Sequence, residues 1–138
     1  MWNPWAHLRA HRRVALTMRP LPTGTSAYVD FDDGHIYIDT SLLQRERNDA
    51  LAHELTHLER GRPVAGFEAA EERAVNEEVA RRLIPLDELV QALRWSRNPT
   101  ELAEDLNCTE STVLTRLARL TPDEARSIRS ELGHDEFA

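Results

Sequence analysis

"LAHELTHLERG", residues 51–61, sets two histidines four positions apart with a glutamate directly after the first. On an α-helix, residues i and i+4 share a face, with Cβ atoms about 5–6 Å apart. His53 and His57 can therefore converge on one ion, and Glu54, three before His57, stands at the edge of the same face. Leu42, Leu43, Leu51, Leu55 and Leu58 recur at helical spacing around the motif, and Gly61 is placed as a C-terminal stop. The stretch thus reads as a helix on grounds independent of its histidines. With six histidines and fifteen glutamates, this composition produces the pattern by chance in roughly 3% of shuffled sequences. A helical setting with the leucines on a different face makes coincidence rarer still.

The residue types suit zinc. Neutral imidazole binds the ion at about 2.0–2.1 Å, and bound zinc lowers the pKa of a coordinated water to about 7. A carboxylate in the place of Glu54 can take that proton during attack on an amide and return it to the leaving amine. A catalytic zinc site also requires a third protein ligand and one open position. The helix carrying the histidines offers no obvious third ligand. The next one, "EAAEERAVNEEVARRLIP" at residues 68–85, holds five glutamates, among which spacing alone does not choose. A His/His/Glu set with an open position favours zinc over other metals.

Upstream, Asn3 and Pro4 form an N-cap followed by proline at the first helical position, which predicts a short helix through "WAHLRAH". "VALTMRPLP" reads as a strand broken by Pro20 and Pro22. "SAYVDF" and "HIYIDT" alternate apolar and polar positions around "DDG", a hairpin turn signal. Tyr28, Tyr37 and His35 could assist a reacting carbonyl but read as structural. Downstream of Pro85 the chain reads as helical throughout, with Thr121-Pro122-Asp123-Glu124 resembling a capping box. The expected fold class is α+β: a zincin-like domain over residues 1–85, with a small antiparallel sheet, an active-site helix and a glutamate helix. A helical module follows over residues 86–138.

Composition narrows the function classes. All 17 basic residues are arginine, which excludes lysine-based Schiff-base chemistry and a phosphate-loop lysine. One cysteine, Cys108, excludes an internal disulfide and a multi-cysteine zinc site; it reads as buried filler. No apolar run approaches a membrane span and no hydrophobic signal core opens the chain, so the expected location is cytoplasmic. Trp2, Trp5 and Trp95 are expected as core anchors, with Trp95 ending an apolar stripe through Leu89, Val90 and Leu93.

"TELAEDLNCTESTVLTRLARL" has the form of a helix-turn-helix with Val113, Leu117 and Leu120 as core positions. A DNA reading would use Ser111, Thr112, Thr115, Arg116 and Arg119 toward bases and phosphates. Charge argues against it. The chain carries −7 overall, and residues 86–138 hold 6 arginines against 11 acids. Counterion release needs many more phosphate-neutralising cations. A tri-helical packing module is the favoured reading.

"HELTH" followed by "ERAVNEEVARRLIP" at residues 72–85 resembles the ImmA/IrrE family of metallo-endopeptidases, in actinobacterial and actinophage forms. The likeness covers most of the chain, including the hairpin before the active helix and the helical tail after it. Val75 and the "RLIP" ending depart from the family's more frequent alanine and "LLMP", both apolar packing changes. The resemblance implies that Glu72, four before Asn76, is the third ligand, with Glu71 as the fallback. Asn76 would then orient a ligand. It further implies Zn2+ as cofactor, Glu54 as general base, and a protein substrate: a helix-turn-helix repressor of a phage, mobile element or stress regulon. The alternative function is a non-catalytic zinc-containing regulator that binds DNA or a protein partner through the C-terminal module.

Overall fold

The computed structural model describes residues 2–133; Met1 and residues 134–138, the two ends of the expected segments, lie outside the described residues. The fold is α+β, with helices α1 (Pro4–Ala10), α2 (Gln44–Arg60), α3 (Glu68–Leu83), α4 (Leu86–Leu93), α5 (Pro99–Leu106), α6 (Glu110–Ala118) and α7 (Pro122–Leu132). Strands β1 (Ala15–Arg19), β2 (Ala27–Asp30) and β3 (His35–Asp39) form one sheet in the order β1-β3-β2. None of these helices is long and apolar enough to cross a membrane.

Local chemistry accounts for the element ends. Asn3 Oδ1 accepts from the backbone N–H of Trp5 and Ala6, satisfying donors that open α1. Thr121 and Glu124 form the expected reciprocal capping box on α7. Asn98 caps α5 and Thr109 caps α6, across a turn in which Asn107 takes the left-handed conformation at φ +54°. Between β2 and β3, Gly34 sits at φ +63°, and a Cβ there would come 3.3 Å from the carbonyl oxygen of Arg13.

The sheet is mixed, which corrects the antiparallel expectation. β2 and β3 pair antiparallel as the hairpin requires, but β1 lies parallel on the other side of β3. Pro20 and Pro22 end β1, and the chain crosses the end of β3 to reach the far edge. Asp39 anchors that crossing: its Oδ1 accepts from Leu21 N and its own N–H donates to Ser26 O. Alternation records which face a strand buries, not which strand lies beside it.

Two apolar clusters meet at α2. Leu51 and Leu55 pack with Ile36 and Ile38 of the sheet, supported by Trp5, Leu8 and Leu16. Ala52, one position round the helix, joins a larger cluster with Val75, Val79, Leu83, Ile84, Leu89, Leu93, Leu102, Val113 and Ile128. That cluster runs across the expected 85/86 boundary, so residues on both sides share one core. Trp95 is no anchor: α4 ends at Leu93, and the indole beyond it is 87% exposed. Trp5 is half-buried and donates from Nε1 to Asn48 Oδ1 at 2.7 Å.

Candidate metal centre

Successive residues of a helix rotate by about 100°. With Leu51/Leu55 committed to the sheet and Ala52/Thr56 to the other helices, the remaining arc of α2 carries Glu46, Asp49, Ala50, His53, Glu54 and His57. All six line one open cleft of about 730 Å³. Its opposite wall is β2, including Ala27, Tyr28 and Val29, and Glu72 of α3 closes one side. β2 pairs only with β3, so its other edge is free toward the cleft among the described residues.

Glu72 bridges the histidine pair. Its Oε1 lies 2.7 Å from His53 Nε2 and its Oε2 lies 2.9 Å from His57 Nε2. The two Nε2 atoms are 3.1 Å apart, with the rings crossed at 74°. Bonds of about 2.0–2.1 Å at tetrahedral angles place donor atoms about 3.3 Å from one another. The donor atoms of the three side chains lie within 4.8 Å of one another, a spacing at which the set could hold a single ion. Glu71 points elsewhere and pairs with Arg60. Neighbouring positions on α3 differ by about 100°, so Glu72 meets the histidines while Glu71 meets Arg60 at the end of the same helix.

Glu54 is 7% exposed, and its carboxyl is pushed up to about 7 by burial and by the nearby Glu72 charge. Burial lowers the pKa of His53, an effect that His57 adds to and Glu72 opposes. A neutral imidazole is the form that binds a metal.

The chain matches no family model and no curated protein.

One face of the helix considered as a DNA reader turns inward through Thr112 and Arg116, while Ser111 and Arg119 are exposed. Arg116, 2% exposed, donates from Nε to Ile84 O at 2.7 Å and from Nη2 to Glu124 Oε2 at 2.6 Å. Thr112 Oγ1 donates to Asp49 Oδ2 at 2.6 Å. Ser111, Thr112 and Thr115 line a small recess of about 120 Å³ beside His53 and Asn76. No hydrogen bond joins Asn76 to Glu72 among the described residues, so an orienting role for Asn76 has no direct contact behind it here. Tyr28 lines the cleft and accepts from Arg19 Nη2, whereas His35 stacks on Tyr37 and bonds Thr17 Oγ1. Cys108 is buried, with its thiol pushed up to about 12 chiefly by burial.

Asp49 escaped the reading of the sequence. Its Oδ2 accepts from Thr109 N, Thr109 Oγ1 and Thr112 Oγ1, clamping α6 onto the helix that carries the histidines. The available signal was its position four before His53, on the same stripe.

Proposed function

We propose that this chain is a zinc-dependent endopeptidase of the ImmA/IrrE type, cleaving one peptide bond in a helix-turn-helix transcriptional repressor. The observation that carries the reading is the Glu72 carboxylate meeting both histidine Nε2 atoms, at 2.7 and 2.9 Å, with the buried Glu54 in the same cleft. His53, His57 and Glu72 would hold the ion. Zinc bound there supplies Lewis acidity to polarise the scissile carbonyl and acidify water. Glu54 takes the proton of the attacking water on its carboxylate and returns it to the departing amine nitrogen. The free edge of β2 supports a peptide substrate. An extended segment laid along Ala27–Asp30 would pair its main chain with the strand and bring a peptide bond across the cleft. The repressor as substrate class rests on the resemblance in residues 51–85, and the buried Arg116 favours a protein over a DNA partner for the helical module.

Glu54→Gln tests the reading. The variant is expected to bind one zinc at the histidine pair as the wild type does, and to lose cleavage of a helix-turn-helix repressor substrate by a factor of about 10² or more. Cleavage at the wild-type rate would reject Glu54 as the base.

A further inference from the structure

We propose a second transition-metal site, formed by His7, His11 and Glu59, that fastens α1 to the outer end of α2. His7 and His11 are again an i,i+4 pair, and their Nε2 atoms lie 3.1 Å apart with the rings crossed at 73°. His7 Nε2 is 3.2 Å from Glu59 Oε2, and the donor atoms of all three residues fall within 4.8 Å of one another. The geometry nearly repeats that of His53 and His57, where the corresponding values are 3.1 Å and 74°. Two ring nitrogens held this close share either a proton or a cation, and a carboxylate completes a His/His/Glu set at both places.

The surroundings are organised around the carboxylate. Arg82 Nη1 binds Glu59 Oε1 at 2.7 Å, which leaves Oε2 turned to the histidines. Arg82 is itself held by Glu78 and stacks over the Trp2 ring at 5.0 Å, while Trp2 packs against His7. Ligands with such an outer layer are oriented before the ion arrives. Two imidazoles and one carboxylate select borderline divalent ions such as Zn2+, Co2+, Ni2+ or Cu2+ over Mg2+ and Ca2+. His11 and Glu59 are exposed, and Arg82 competes for the carboxylate, so this site is the weaker of the two. Its consequence is mechanical: a bound ion joins the N-terminal helix to the helix that carries the candidate catalytic residues.

The site stands apart from the peptidase reading, because none of its ligands lines the main cleft. The test is Co2+ binding to chelator-stripped protein, measured by equilibrium dialysis with metal analysis. Wild type should bind two equivalents. His11→Ala should bind one, and Glu72→Ala should bind one. The double variant should bind none. Among the described residues the side chain of His11 is partnered only by the His7 ring, so His11→Ala leaves the fold intact; far-UV circular dichroism checks this, and His11→Gln serves as a second variant. In the Glu72→Ala background, Zn2+ at 100 times its dissociation constant should also raise Tm, and His11→Ala should remove that rise. Wild type binding a single equivalent that His11→Ala and His11→Gln leave in place would overturn the proposal. Loss of the Glu72-dependent equivalent alone would instead count against the peptidase centre.

Discussion

Arg116→Ala should destabilise the protein by about 2 kcal/mol. Two routes lead to that figure. Breaking a buried ion pair by removing one partner costs about 3–5 kcal/mol. Here the loss is smaller, because Glu124 keeps Arg81 at 3.0 Å and still caps α7. The second route is the Glu124 carboxyl, brought down from the ordinary 4.5 to about 2 chiefly by its hydrogen bond to Arg116. Taken whole, that shift is worth about 3 kcal/mol. Solvent near the carboxylate and the contribution of Arg81 reduce the part owed to Arg116 to about 1–2 kcal/mol. The variant also strands the carbonyl of Ile84, which accepts from Arg116 Nε at 2.7 Å. For a chain of this length, 2 kcal/mol corresponds to a fall in Tm of roughly 6–10 °C. The sign with pH follows from the direction of the shift. A carboxylate depressed in the folded state contributes stability above pH 4.5, and that contribution is lost as pH falls toward about 2. Thermal melts followed by circular dichroism should therefore show the two proteins well separated at pH 7 and converging below about pH 4. An Arg116→Ala protein with unchanged Tm at pH 7 would refute the structural role, and unchanged Tm with weakened DNA binding would restore the recognition-helix reading.

Three further outcomes follow from the geometry. Asp49→Ala removes the acceptor of three hydrogen bonds from Thr109 and Thr112, and should cost about 2–3 kcal/mol in urea unfolding; a change under about 0.5 kcal/mol would show that α6 is held by apolar packing alone. Trp95→Ser should stay within about 0.5 kcal/mol of wild type, because the indole is almost wholly exposed, whereas a core anchor would cost about 3–5 kcal/mol. Chelation with EDTA should abolish repressor cleavage while leaving the far-UV circular dichroism of a folded protein, since both apolar clusters form without the candidate ligands; global unfolding on chelation would mark the ion as structural.

Several features were legible because they are short-range. The caps at Asn3 and Thr121, the Gly34 turn and the stop at Gly61 each depend on residues within a few positions of one another, and each stands where the sequence placed it. Asp49 and the His7–His11 pair were equally local in spacing, but nothing in the chain announces that Thr109 or Glu59 comes to meet them. Trp95 misled for the same reason, and Arg116 stood open between a packing and a DNA-facing place. An arginine on a helix and a tryptophan after one have no local mark of being inside or outside.

By itself the sequence determined where helices and strands run and that His53, Glu54 and His57 share one helical face, since hydrogen bonding between neighbours and the pitch of a helix decide those matters. Only the tertiary structure decided that β1 lies parallel beside β3, that Glu72 rather than Glu71 reaches the histidines, and that Arg116 turns inward to Glu124. Each of these is a meeting of segments far apart in the chain. Such meetings are selected by the burial of two apolar clusters on either side of α2, which no window of sequence contains.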